Sequence, residues 1–174
     1  MYQVLSSEYG FEKLVLCEVN HCMEAYCALI VSSQYGNILY SGDTIPCTNL
    51  RNYAKTARVL IHEATLQDGM EEDAAKKMHT TTGQALQIGI DCGVWRTILT
   101  HFSPRYQKVA EITAQMTDAR AIVAFDHTRV SWSQLEWAYK ITPIFEKLIS
   151  NEEEKKAVPE EAKKQQADKK QKGK

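Results

Sequence analysis

Imidazoles and carboxylates recur in this 174-residue sequence where apolar runs end. Asp43 follows Ile38-Leu39-Tyr40 and the pair Ser41-Gly42, His62-Glu63 closes the run 57–61, and His101 closes the run 96–100 in ILTHFSPRY. His21 stands in the connection EVNHCMEAYC and His79 at a helix-to-helix junction, KKMHTTTGQA. Such a set suits a metal-dependent hydrolase, which needs imidazole and carboxylate ligands and a further acid or base that is not a ligand. Each residue also has a plainer reading. Asp and Gly are the usual punctuation after a strand, and a histidine at a strand end is often structural, as we take His127 in AFDH to be. Cys17, Cys22 and Cys27 surround His21 without any CxxC pair, so they read as small core residues.

The elements that must hold these groups are legible as short β-branched or aromatic runs bounded by polar residues. Strands are expected at 13–19, 26–32, 37–41, 57–63, 96–102 and 121–127, the first three as neighbours. The segment MEEDAAKK has the composition of a polar helix, and Thr81 with Gln84 has the spacing of a capping box, so a second helix begins there. Leu135 and Tyr139 share a helical face, and Thr142-Pro143 marks the start of a last helix. Strands that alternate with helices, and no internal repeat, define an α/β chain. In such a chain the strand-end residues lie where a site is usually presented, beyond the carboxyl ends of the strands.

Composition narrows the classes. A hydrophobic content of 44% with 25% charged residues is that of one globular domain. No apolar run approaches the roughly 18 residues of a membrane span. Five cysteines, an odd number, fit an intracellular, reducing compartment better than a disulfide framework. Residues 151–174 hold eight Lys and six Asp or Glu and almost nothing apolar, which predicts a disordered, solubilising tail. Residues 1–150 carry 13 basic and 16 acidic groups, and a mildly acidic body disfavours a plain RNA-binding module.

The phrases YSGDTIPC, VLIHEATLQDG, HTTTGQA and LTHFSPRY together resemble, in order and spacing, the C-terminal region of long-form tRNase Z, a metallo-β-lactamase-fold endoribonuclease. VNHCMEAYCALIV is similar to the segment that carries the family's third metal-binding histidine. The resemblance covers about residues 12–130. It implies that residues 1–150 are the C-terminal part of an αβ/βα sandwich, with helices packed on a mixed sheet. It implies that His21 ligates one zinc ion, that Asp43 bridges two, and that His101 ligates the second. Glu63 would orient His79, which would pass a proton to the departing oxygen. Thr80 and Thr81 would offer N–H and hydroxyl groups to a phosphate, and Arg105 a phosphate or base contact, although a structural Arg105 is a comparable reading. The implied reaction is removal of the 3′ trailer from precursor tRNA with two zinc ions.

The family's HxHxDH motif, which supplies most ligands to both metals, is nowhere in these residues, and neither is its substrate-clamping arm. Three ligands divided between two zinc ions are too few. Three expectations follow: a piece of a longer enzyme lacking its N-terminal half, a split subunit completed by a partner chain or dimer, or an inactive remnant that acts through a partner.

Overall fold

The computed structural model describes residues 10–103 and 121–144. Arg105 and the charged run 151–174 lie outside them, as do the residues beyond Ile144 of the helix expected at Thr142-Pro143. Six strands form one sheet in sequence order: β1 (Lys13–Glu18), β2 (Tyr26–Val31), β3 (Ile38–Tyr40), β4 (Val59–Glu63), β5 (Arg96–Thr100) and β6 (Ile122–Val123). The first two pairings are antiparallel and the other three parallel, so the sheet is mixed, as expected. The change follows from the connections. Tight links join β1, β2 and β3, whereas α1 (Thr48–Ala54) separates β3 from β4, and α2 (Glu71–Lys77) with α3 (Thr82–Asp91) separates β4 from β5. A parallel pair needs such a crossover. The carboxyl ends of β3, β4, β5 and β6 consequently share one rim.

Local chemistry sets the helix ends. Thr81 and Gln84 form the reciprocal capping box that their spacing predicts. α2 carries Glu71, Glu72 and Asp73 in its first turn and Lys76 and Lys77 in its last, opposing its dipole at both ends. α3 lies close on the sheet because Gly89 has no side chain: a Cβ there would sit 2.1 Å from Thr97 Oγ1.

One face of the sheet is covered by helices. Leu39, Leu60 and Leu99 meet Leu50 and Ala54 of α1 and Ala85, Leu86 and Ile88 of α3 in two adjoining apolar clusters. Cys27 and Cys47 belong to this core, and burial, then the neighbouring Cys17 and Cys47 thiols, push Cys27 up to about 11. His62 also belongs here. Strand alternation turns it away from Glu63, so it leaves the strand-end set and is fully buried. Desolvation holds its pKa below the usual histidine value. Its Nδ1 meets Glu63 O at 2.7 Å, while Nε2 has no partner.

Among the described residues the opposite face is covered chiefly at one end. There α4 (Trp132–Leu135) and a 3₁₀ turn (Ala138–Lys140) pack Leu135, Trp132 and Tyr139 over Val59, Ile98 and Ile122. Arg96 fixes this segment: Nε donates to Leu135 O at 2.7 Å and an Nη to Glu136 O at 3.0 Å, and the guanidinium lies over the Trp95 and Tyr139 rings. Over β1, β2 and β3 the described residues leave the same face less covered, and Leu14, Leu16, Tyr26 and Tyr40 are 50%, 60%, 42% and 46% exposed. β6 is much shorter than the expected 121–127. Ala124 N still bonds Leu99 O at 2.9 Å, and then Phe125 N donates to Thr128 Oγ1 and Thr128 N to Phe125 O, a tight turn that ends the pairing. Among the described residues no helix is long and apolar enough to cross a membrane.

Two expected outcomes test this packing. Arg96→Ala strips three carbonyls, those of Trp95, Leu135 and Glu136, of a charged donor and should cost about 3 kcal/mol, read from urea unfolding, with faster amide exchange across Trp132–Leu135 than elsewhere. For His62 the folded pKa is depressed, so its stabilisation is complete above the unfolded value and is lost as pH falls below about 6.5. Stability of the parent should therefore drop more steeply than that of His62→Leu between about pH 7 and pH 5; identical slopes would show that His62 charges at no cost.

Candidate active site

The rim at the carboxyl ends of the parallel strands gathers residues that lie far apart in sequence. Asp43 follows β3 after a turn in which Gly42 has φ +60 and a Cβ would come within 2.7 Å of Tyr26 O, so glycine is required just before the carboxylate. Glu63 is the last residue of β4 and His101 the first after β5. His101 itself has φ +60, uncommon for a residue other than glycine.

His21 and His79 arrive from loops, and hydrogen bonds hold both loops in place. The His21 loop is tied to the Asp43 loop by Asn20 N donating to Thr44 Oγ1 (3.2 Å) and Ile45 N donating to Asn20 O (3.0 Å). α2 ends in a left-handed residue, Met78 (φ 60), with Met78 N bonded to Ala75 O and His79 N to Ala74 O. This is a Schellman stop built without glycine. It leaves Met78 O at 2.8 Å from His21 Nδ1. A carbonyl only accepts, so His21 carries its proton on Nδ1 and presents the Nε2 lone pair.

Glu63 is the centre of the hydrogen-bond network. It is 1% exposed, and both oxygens are saturated. Oε1 accepts from Thr44 N (2.9 Å) and His79 Nδ1 (3.0 Å), and Oε2 from Thr65 N (3.2 Å) and Thr65 Oγ1 (2.5 Å). Thr65 Oγ1 also lies 2.8 Å from His101 Nδ1, and His101 Nδ1 lies 3.5 Å from Asp43 Oδ1. The His79 ring is 4.8 Å from that of His21 and 5.5 Å from that of His101, between centroids.

All five residues His21, Asp43, Glu63, His79 and His101 are thus brought together. Two groups have ligand atoms within 4.8 Å of one another: His21, Asp43 and His79, and Glu63, His79 and His101. Nitrogen and carboxylate donors of this kind suit zinc. His79 belongs to both groups and stands between them.

The threonines are differently employed. Thr80 and Thr81 are fully buried: the Thr80 hydroxyl donates to Thr44 O, and the Thr81 hydroxyl caps Gln84 N. Gly83 N donates to Asp68 Oδ1 at 2.5 Å. The start of α3, which was expected to meet a phosphate, already holds the carboxylate of Asp68. Sequence reasoning singled out neither Asp68 nor Thr65, although both stand in the VLIHEATLQDG phrase, and nothing in the sequence marked Met78.

Comparison with known proteins gives the site a context. No family model matches the chain. It is 39% identical over 142 residues to human "Zinc phosphodiesterase ELAC protein 2", covering 81% of this chain and 17% of that protein. It is 37% identical over 155 residues to Arabidopsis thaliana "tRNAse Z TRZ4, mitochondrial", covering 83% and 16%. The crystal structure of a long-form RNase Z from yeast superimposes with a TM-score of 0.69 at 28% identity, over 84% of this chain and 21% of that one. The Bacillus subtilis metallo-β-lactamase-fold protein YhfI, at 16% identity, shares the fold with a TM-score of 0.52. The chain therefore spans about a fifth or less of the length of these longer relatives. Over the part that it shares with them, this chain belongs to the ribonuclease Z (tRNase Z) family and has its metallo-β-lactamase fold.

Proposed function

We propose that this chain provides one part of the active site of a zinc-dependent endoribonuclease that removes the 3′ trailer from precursor tRNA. The observation that carries the reading is the convergence of His21, Asp43, His79 and His101 around the hydrogen-bonded Glu63 carboxylate. Residues 1–150 act as the C-terminal part of the metallo-β-lactamase domain. His21 and His101 would each hold one zinc ion, and Asp43, at 3.5 Å from His101 and grouped with His21, would contact both. Bound zinc supplies Lewis-acid stabilisation of charge at the phosphodiester and acidity to the attacking water.

The chain's own residues handle the leaving group. Cleavage that leaves a 3′-hydroxyl on the tRNA and a 5′-phosphate on the trailer breaks the P–O3′ bond, so O3′ must gain a proton. His79 donates it from Nε2, because Nδ1 is engaged by Glu63 at 3.0 Å. The buried carboxylate keeps the ring oriented during the transfer.

The donors that this chain lacks come from further metallo-β-lactamase sequence, either in the same longer chain or in a partner chain. The half-exposed apolar side chains on this face of β1, β2 and β3, among the described residues, support this, since a sandwich buries such a face against a second layer. A reducing, intracellular setting suits the five cysteines, all of which are free.

Alone, the chain should bind fewer than two equivalents of zinc and show oligomers in light scattering, because both its ligand set and its sheet face are incomplete. A compact monomer holding two zinc ions by elemental analysis would overturn the reading. After reconstitution with the missing half, Asp43→Ala should lose zinc and cleavage together. His79→Ala should keep both zinc ions and slow single-turnover trailer cleavage by about 10² to 10⁴. Loss of zinc in His79→Ala would make this histidine a ligand instead.

A further inference from the structure

We propose that Thr65 is a positioning residue that fixes the tautomer of His101 and thereby joins the Glu63–His79 pair to the metal-holding edge of the site. This rests on the reading of His101 as a ligand. The inference comes from counting protons. A threonine hydroxyl has one proton to donate and two lone pairs. Three groups surround Thr65 Oγ1: Glu63 Oε2 at 2.5 Å, His101 Nδ1 at 2.8 Å and His79 Nδ1 at 3.3 Å. The Glu63 carboxylate offers acceptors only, and the His79 proton is already directed to Glu63 Oε1. The single Thr65 proton therefore goes to Glu63 Oε2.

What remains of the hydroxyl toward His101 is a lone pair. His101 must then carry its proton on Nδ1 and present the bare Nε2. The other acceptor near Nδ1, Asp43 Oδ1, is 3.5 Å away, too far for a normal hydrogen bond. Met78 O imposes the same tautomer on His21, and Glu63 likewise holds a proton on Nδ1 of His79, whose Nε2 carries the transferable one. In the first case the acceptor is a backbone carbonyl and in the second a carboxylate.

Only at His101 is the acceptor a hydroxyl whose own direction is set by Glu63. The carboxylate thus orients two imidazoles, one directly and one through Thr65. An imidazole free in water exchanges between its two neutral forms, and a histidine protonated on Nε2 cannot coordinate through that atom. The hydroxyl removes the wrong form without placing a second negative charge beside Glu63. The left-handed backbone of His101 (φ +60) is tolerable where neighbours over-determine the ring position in this way.

The test uses the full chain, metal-free and ¹⁵N-labelled, at about pH 8.5, where an ordinary imidazole is neutral. Long-range ¹H–¹⁵N correlation reads which His101 nitrogen bears the proton. The parent and Thr65→Ser should show Nδ1–H, and Thr65→Val a mixture of both forms. A parent that is protonated on Nε2 overturns the proposal outright, because the Thr65–His101 bond would then run the other way, and this holds even if Thr65→Val does not fold. Nδ1–H retained in full by a folded Thr65→Val overturns it equally.

Calorimetric titration with zinc alone gives a second readout. Affinity should fall by about 10- to 100-fold in Thr65→Val, the range for a lost partner of a metal-binding histidine, and be restored in Thr65→Ser. His101→Ala tests the underlying reading separately. Unchanged zinc affinity there sinks His101 as a ligand, while the tautomer measurement still decides what Thr65 does.

Discussion

A buried carboxylate with four donors holds this site together. Burying a charged group is costly unless it is fully hydrogen-bonded, and Glu63 meets that requirement with donors from three segments: the loop after β3, the loop after β4 and the turn after α2. Each donor brings a residue of the candidate site with it. Thr44 N carries Asp43 beside it, Thr65 reaches His101, and His79 is itself a donor. Movement of any of these loops would strip a hydrogen bond from a carboxylate that water cannot reach, so the arrangement resists independent drift of its parts.

The sheet topology makes that convergence possible. Antiparallel pairing among β1, β2 and β3 brings the His21 loop to the same end of the sheet as Asp43, and parallel pairing from β3 to β5 then places Glu63 and His101 at successive strand ends. Backbone conformations that side chains dislike occur at Met78 and His101, beside this rim. Such conformations are costly and are expected where function constrains the chain.

Much of this was visible in the sequence because the signals were local. The Thr81/Gln84 capping box depends on two residues three apart, and the expected pairing of the first three strands follows from short polar links. The strand-end positions of Asp43, Glu63 and His101 were marked by apolar runs that stop. What escaped was non-local or ambiguous. Thr128 ends β6 by turning its hydroxyl back to Phe125, an interaction that the apolar run through Phe125 conceals. Asp68 fills the start of α3 from fifteen residues away. Thr65 is an unremarkable residue type until a carboxylate and an imidazole lie on either side of it. His62 shows the reverse error: adjacency to Glu63 suggested a shared role, whereas the two-residue period of a strand sends neighbours to opposite faces.

The exposed face of β1, β2 and β3 creates a class of substitutions whose effect depends on company. Leu14, Leu16, Tyr26 and Tyr40 are only about half covered by the rest of this chain, so polar replacements there forfeit only part of the apolar burial that each side chain could offer. Were a complementary layer to cover them, the same replacements would weaken that packing too, and the folded population it sustains would fall. Variation at these positions would therefore weigh more on the folded population of a covered sheet than on that of the uncovered one.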